Sequence, residues 1–203
     1  MAKIAVDAVV LPCEAMMNRV IEANKAMQKQ VSDKIVLDKN SCLPHISLAM
    51  GCIDEGDLGD IERVLESIAR RYCVQKLKVV GVHIGTSSAG EKVSVFQIEK
   101  DETLQTLHKE VMEDLGRYFK YEATAEMVLS PHRAEESTLC WIRNYAEKAS
   151  FENFFPHITV GYGETEDILQ PIEFTASRLA LCHLGNHCTC RRILVSVEFG
   201  ETG

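Results

Sequence analysis

The chain has 203 residues, of which 46% are hydrophobic and 26% are charged, a balance that predicts one globular domain or two small lobes around a shared core. Its formal net charge of −8 excludes a broad basic surface, so we expect no general binding to DNA or long RNA. A small anionic ligand held in one local pocket is compatible with this charge.

The first residues predict a strand rather than an export signal. Residues 3–11 are mostly apolar but are interrupted by Asp7, and Pro12 and Glu14 follow at once, which makes a poor signal peptide. No apolar run approaches the roughly 20 residues that span a bilayer. We therefore expect a cytoplasmic protein without a membrane partner, whose eight cysteines stay reduced.

Hydrophobic periodicity predicts the other elements in chain order. In the first half we expect a helix at about 16–31, a strand at 43–52, a helix at about 57–72, and strands at 76–84 and 92–98 joined by a hairpin turn at 85–90. In the second half we expect a helix at 101–121, a strand near 124–129, a helix near 136–148, a strand containing His157, a short acidic helix at about 164–169, and strand runs at 173–184 and 188–199. A similar order of elements thus occurs twice, which indicates a single domain with an internal duplication of about 1–98 and 101–203 and interleaved lobes.

Two segments of the sequence match each other closely. Residues 44–51 read Pro-His-Ile-Ser-Leu-Ala-Met-Gly, and residues 156–163 read Pro-His-Ile-Thr-Val-Gly-Tyr-Gly. Four of the eight positions are identical, and three others are close substitutions. One His-x-Ser segment on a strand is a weak signal, because most such histidines are simply hydrogen-bonded at a sheet edge. Two copies that share the preceding proline and the final glycine are much more specific.

Strand geometry predicts which motif side chains point the same way. Residues i and i+2 project from one face of a strand, so His45 should point with Ser47, and His157 with Thr159. The next residue on each polar face is small, an alanine or a glycine, which we expect to leave space for a ligand.

These residue types suit the cleavage of a phosphodiester. The reaction needs a base to activate the attacking oxygen and an acid to protonate the departing one, and histidine serves either role because its usual pKa is about 6.5. Two hydroxyls can hold the non-bridging oxygens as charge develops. The pattern predicts that His45 and His157 are catalytic, that Ser47 and Thr159 bind the substrate phosphate, and that neither a metal nor a cofactor is required.

The paired Pro-His-Ile-Ser/Thr segments resemble the signatures of the two-histidine phosphoesterase superfamily, which includes the bacterial 2′,5′ RNA ligase-like proteins and the cyclic nucleotide phosphodiesterases. The resemblance covers most of the chain. It implies a bilobal α+β fold, in which two antiparallel sheets related by a pseudo-twofold axis face each other across a central cleft, with helices outside. It also implies that the four motif residues line the cleft, and it favours His157 as the base and His45 as the acid.

The favoured hypothesis is a monomeric, metal-independent hydrolase of 2′,3′-cyclic or 2′–5′-linked nucleotide phosphates, with a small nucleotide or a short RNA end as its substrate. Two alternatives stay open. The same four residues could cleave a cyclic oligonucleotide, or the protein could be a nucleotide-binding module without turnover. Intact copies of both motifs argue against the binding module, because a pure binder has less reason to keep both histidines.

Other candidate residues have weaker patterns. Residues 182–190 hold three cysteines and two histidines around a turn, but the spacing is not that of a zinc finger or ribbon, and a hairpin with packed thiols is favoured. His83 lacks a hydroxyl two positions on and is interpreted as structural, and His132 is interpreted as a loop residue. Phe154 and Phe155 precede the second motif and either pack in the core or stack on a base.

Overall fold

The computed structural model describes residues 2–28, 33–87, 90–129, 134–165 and 170–200. The strands in these ranges are β1 (Lys3–Leu11), β2 (Ile46–Asp54), β3 (Gln75–Thr86), β4 (Lys92–Ile98), β5 (His157–Tyr162), β6 (Ile172–Ala176), β7 (Arg178–Leu184) and β8 (Cys190–Glu198). The α-helices are α1 (Glu14–Gln28), α2 (Leu58–Ala69), α3 (Glu102–Leu115) and α4 (Glu136–Lys148). No helix within the described ranges combines the length and the apolar character needed to cross a bilayer.

The helices form where apolar residues recur at helical spacing. In α2, the buried residues Ile61, Leu65 and Ile68 are three or four positions apart and therefore share one face. Helix α3 begins after Asp101, whose side chain accepts a hydrogen bond of 2.7 Å from the backbone N–H of Leu104. This bond satisfies one of the amides that the first turn of a helix leaves free.

The strands form two four-stranded antiparallel sheets, which confirms the predicted fold class. The first sheet has the order β2-β1-β7-β8 and the second has the order β5-β4-β3-β6. The two strands of the histidine motifs, β2 and β5, each lie at an edge of their sheet. These two edge strands contact each other. Helices α2, α3 and α4 pack against the first sheet, and α1 packs against β5.

Alternate residues of β1 belong to two different apolar clusters. Ala8 and Val10 are part of the main core, whereas Val9 and Leu11 belong to a smaller cluster with Met17, Leu43, Ala180, Cys182 and Cys190. Because neighbouring residues on a strand point to opposite faces, the smaller cluster covers the other face of the first sheet. Val9 pairs directly with Ser47, so this second face is the one that carries the first motif.

Two predicted elements differ from the structure in type or in connection, and the helix predicted at 101–121 ends earlier, at Leu115. The strand predicted near 124–129 is wrong, because Ala125–Met127 form a 3₁₀-helix. The run predicted at 173–184 is broken at Ser177 into β6 and β7, which join different sheets, so the chain crosses between the lobes at this residue. Most of the helix predicted at 164–169, the tip of the 85–90 turn and His132 lie outside the described residues.

Candidate active site

The imidazole of His45 is anchored by the backbone just before β2. Its Nδ1 donates a hydrogen bond of 2.7 Å to the carbonyl of Leu43. A carbonyl oxygen can only accept, so the Nδ1 carries a proton and the Nε2 of the neutral ring keeps its lone pair. The side chain is largely buried, with 13% of its surface exposed.

His157 has the same anchor in the second motif. Its Nδ1 donates a hydrogen bond of 2.7 Å to the carbonyl of Phe155, which is again two residues earlier in the chain. Both motifs therefore fix the same tautomer and leave the Nε2 lone pair free. The structure brings the two motif strands into contact, and the charge on His157 acts on His45.

Each motif strand contains a β-bulge directly after its hydroxyl residue. The ladder with β1 pairs Ser47 and Ala49 with consecutive residues, so Leu48 is extra, and the ladder with β4 skips Val160 in the same way. A bulge interrupts the alternation of side chains. Ala49 consequently lies fully buried in the main core, and Gly161 is also buried. The prediction that these small residues leave space above the polar face is wrong.

Gly161 instead permits a close approach between α1 and the second motif strand. The side-chain amide of Asn24 donates to the carbonyls of Val160 (2.8 Å) and Ile35 (2.9 Å), and its oxygen accepts from the backbone N–H of Leu37 (2.9 Å). A Cβ at position 161 would lie 2.9 Å from the amide nitrogen of Asn24, and the backbone φ there is +153°. Glycine is therefore required for the contact that positions β5.

Asp7 is a site residue that the motif pattern did not identify. Its side chain is fully buried, its Oδ2 accepts a hydrogen bond of 2.6 Å from the hydroxyl of Ser47, and the same oxygen lies 3.8 Å from Nε2 of His45. Burial raises the pKa of Asp7 well above its usual value, which favours the neutral carboxyl. The available signal was an acidic residue in the middle of an otherwise apolar strand.

Burial also controls the charge of the two histidines. The pKa of His45 is lowered to about 4, mainly by burial and further by the charge of His157, while the hydrogen bond to Leu43 acts in the opposite direction. Burial lowers the pKa of His157 as well, with a smaller contribution from the charge of His83. Both imidazoles are therefore predominantly neutral at pH 7 in the empty site.

Aromatic side chains surround the second motif. The ring of Phe155 is 40% exposed, and its centroid lies 5.5 Å from the ring of His157 and 5.3 Å from that of His83. His83, which the sequence led us to interpret as structural, is exposed and lies beside this ring. Phe154, in contrast, is buried and stacks nearly parallel on His108 with centroids 4.0 Å apart. Only Phe155 of the two phenylalanines presents a ring to solvent.

The cysteines and histidines of residues 182–190 do not converge on one point. His183 is hydrogen-bonded to a backbone carbonyl, and His187 is hydrogen-bonded to a tyrosine hydroxyl. Cys190 turns instead towards the first motif, where its thiol joins Asp7 and His45 in a cluster of donor atoms that lie within 4.8 Å of one another. All eight cysteines, each within the described ranges, are free thiols.

Comparisons with known proteins agree with this architecture. The crystal structure of TT0787 of Thermus thermophilus has a TM-score of 0.62 and 15% identity, covering 98% of this chain and 100% of that one. Crystal structures of E. coli LigT complexed with ATP and with 3′-AMP have TM-scores of 0.52 and 0.50, each with 12% identity over 98% of this chain and 100% of that one. A comparison with curated proteins finds no match.

At these identities the solved structures establish the fold alone, and the family follows from the sequence. The family model of the 2′-5′ RNA ligase superfamily matches residues 40–187, which is more than half of the chain and includes both histidine motifs. This match confirms the resemblance that the paired motifs indicated. The chain therefore belongs to the 2′-5′ RNA ligase superfamily.

Proposed function

We propose that this protein is a metal-independent phosphodiesterase that hydrolyses 2′,3′-cyclic or 2′–5′-linked nucleotide phosphates, acting as a cytoplasmic monomer. The observation that carries the proposal is the matched anchoring of His45 and His157 on adjacent edge strands. Each Nδ1 is held by a carbonyl, so each Nε2 is available to exchange a proton with the substrate. Membership of the superfamily supports a phosphoester or RNA-end substrate.

The burial of the two rings supports a division of roles between them. A base must be neutral before the reaction and an acid must be protonated. The pKa of His45 is lowered to about 4, mainly by burial and further by the charge of His157, so we take His157 as the ring that is protonated first. We therefore assign the base to His45 and the acid to His157, which reverses the assignment that the family resemblance favours.

The groups around the histidines suit a phosphate ester. Ser47 and Thr159 are proposed to hold the non-bridging oxygens of the phosphate. Each lies two residues after its histidine and before the bulge, so the bulge does not separate the hydroxyl from the imidazole. The neutral form of Asp7 matters here, because an ionised carboxylate beside His45 would repel the phosphate. Binding of phosphate near an imidazole favours its protonated form, which would charge the acid when the substrate arrives.

The exposed ring of Phe155 supports recognition of a nucleobase. An aromatic face next to His157 offers a stacking surface, and stacking tolerates any base because every base has a π-face. The complexes of E. coli LigT with ATP and with 3′-AMP, structures of similar fold, make adenine nucleotides sensible first ligands. The net charge of −8 favours such a small ligand over long RNA.

Product analysis over a panel of substrates tests the proposal. The panel contains 2′,3′-cyclic nucleotides, 2′–5′ dinucleotides and cyclic dinucleotides, each assayed in excess EDTA, with identically purified His45→Ala and His157→Ala proteins as controls for contaminating nucleases. We expect cleavage of the first or second class that persists in EDTA and is lost in both variants. Cleavage of cyclic dinucleotides alone would favour the cyclic-oligonucleotide alternative, and binding without turnover would favour the binding module. Activity that EDTA removes and zinc restores would contradict a metal-independent mechanism.

A further inference from the structure

The polar cluster beneath the first motif contains more donor atoms than acid–base catalysis requires. One ligand atom from each of Asp7, His45 and Cys190 lies within 4.8 Å of the other two. Asp7 and Cys190 are fully buried, and Oδ1 of Asp7 has no hydrogen-bond partner among the described residues. A buried carboxylate oxygen without a partner is costly, so this oxygen is available to a ligand.

We propose that Asp7, His45 and Cys190 form a binding site for a single zinc-class cation, and that occupancy of this site withdraws His45 from catalysis. An imidazole nitrogen, a carboxylate oxygen and a thiolate sulfur are all established zinc ligands. Burial keeps Asp7 and Cys190 protonated in the empty site, so binding of the cation must release both protons to solvent, and the resulting carboxylate and thiolate then balance its charge. The sulfur ligand selects against magnesium and calcium, which prefer oxygen.

The hydrogen bonds around these donors already hold them as metal ligands are usually held. A metal-binding histidine typically donates its other ring N–H to a carbonyl, as Nδ1 of His45 does to Leu43. The carboxylate of Asp7 is likewise oriented by the hydroxyl of Ser47. These contacts leave Nε2 of His45 and Oδ1 of Asp7 free to bind an ion.

The distances permit coordination after a small adjustment of side chains. Ligands of tetrahedral zinc lie about 3.3–3.8 Å from each other, given bond lengths of about 2.0–2.3 Å. Nε2 of His45 lies 3.8 Å from Oδ2 of Asp7, the other oxygen of the same carboxyl group, and one donor atom of each of the three residues lies within 4.8 Å of the others. The thiol of Cys182 contacts that of Cys190 and is a candidate donor for a fourth position.

The second motif has no equivalent cluster among the described residues. The ring contact of His157 is with Phe155, and the ionisable side chain that acts on its pKa is His83 rather than an acid or a thiol. The cation would therefore distinguish the two histidines. Since coordination uses the Nε2 lone pair of His45, the bound ion blocks proton transfer by that ring. The inhibition rests on the proposed function, whereas the binding does not.

Cobalt provides a spectroscopic test of binding that needs no enzyme activity. The reduced, metal-free, full-length protein is titrated with Co²⁺ while its absorption spectrum is recorded, alongside Cys190→Ser, Asp7→Asn and the exposed-thiol control Cys140→Ser. We expect one ion per wild-type chain, tetrahedral ligand-field bands and a thiolate-to-cobalt charge-transfer band, all displaced by zinc. Cys190→Ser should lose the charge-transfer band and Asp7→Asn should bind at least about tenfold more weakly. Cys140→Ser should match the wild type.

The outcomes separate the site from its proposed effect. Spectra that are the same for wild type and a folded Cys190→Ser protein, or a band that disappears in Cys140→Ser instead, would overturn the metal site. Zinc should lower wild-type turnover in proportion to occupancy, and EDTA should restore it, while the residual activity of Cys190→Ser should not respond. Binding that leaves turnover unchanged or raises it would overturn the inhibition. A normal cobalt spectrum without turnover on any nucleotide would count against the proposed function and support the site.

Discussion

The first histidine motif lies over buried polar atoms, whereas the second opens towards solvent beside an aromatic ring. The hydroxyl of Ser47 is hydrogen-bonded to Asp7, while the hydroxyl of Thr159 has no partner among the described residues. The backbone around the two motifs is nevertheless the same, with the same Nδ1 anchor and the same bulge. Matching sequences thus produce matching local geometry, but the surrounding strands set the charge and the hydrogen bonding of each copy.

The largest expected effect comes from the histidines. His45→Ala and His157→Ala should each lower kcat by about 10²–10⁴-fold on a substrate with a poor leaving group, because each removes a proton-transfer group. A highly acidic leaving group needs little protonation, so the acid variant should recover much of its rate on such a substrate. With the roles assigned from burial, that variant is His157→Ala. The measurement is kcat for a matched pair of alkyl and nitrophenyl esters.

Other results would change this assignment. If His45→Ala alone recovered its rate, His45 would be the acid and His157 the base, as the family resemblance favours. Recovery by neither variant would mean that the acid–base division is mistaken. Near-normal turnover in both variants would show that the active site lies elsewhere.

The two hydroxyls should differ because one of them is already engaged. Thr159→Val should cost about 2.7–4 kcal/mol of transition-state stabilisation, or about 10²–10³-fold in kcat, if its free hydroxyl donates to the phosphate. Ser47→Ala should cost less activity but more stability, because it leaves an oxygen of the buried Asp7 without its donor, a loss of about 1–3 kcal/mol. Steady-state kinetics and urea unfolding of both variants measure the contrast. If the two variants lost the same activity and had the same free energy of unfolding, the hydrogen bond between Ser47 and Asp7 would not distinguish the two motifs.

The open side of the second motif should contribute to substrate affinity. Phe155→Leu should lower kcat/KM for a nucleotide by about 1–3 kcal/mol, the scale of one stacking contact, but should change the hydrolysis of a phosphodiester without a base much less. Phe151→Leu is a matched control, because Phe151 is also exposed and packs against a different histidine, His108. A similar loss on both substrates in Phe155→Leu would indicate that the ring only positions His157.

The smallest expected effect concerns stability beneath the first motif. The pKa of Asp7 is raised in the folded protein. At a pH above the usual aspartate pKa of 3.8, the unfolded chain therefore releases a proton that the folded chain keeps. The free energy of unfolding consequently falls as the pH rises. Asp7→Asn removes this penalty and should raise the free energy of unfolding by about 1–2 kcal/mol at pH 7, with the gain disappearing near pH 3.5. Urea unfolding at the two pH values measures the difference.

A surface substitution controls for the change in net charge. Asp33→Asn removes one negative charge from an exposed position and should give no comparable gain at pH 7. A loss of stability in Asp7→Asn at both pH values would mean that the native carboxyl makes contacts that an amide cannot replace.

Much of the fold follows from local side-chain periodicity. The predicted helix at 136–148 coincides with α4, and the runs at 76–84 and 92–98 correspond to β3 and β4. Periodicity did not predict the break at Ser177, where one apolar run supplies strands to two different sheets. The sheet that a strand joins depends on contacts between distant parts of the chain, which periodicity does not report.

The sequence by itself determined the family, the two histidine motifs and their hydroxyl residues, because these depend on short segments whose repetition is visible in one dimension. Only the tertiary structure decided what surrounds them. Asp7 and Cys190 reach His45 from strands that are remote in the chain, and two bulges turn the expected space after each motif into core. Burial by distant strands sets the pKa of each imidazole, so the difference between the two histidines arises only when the sheets assemble.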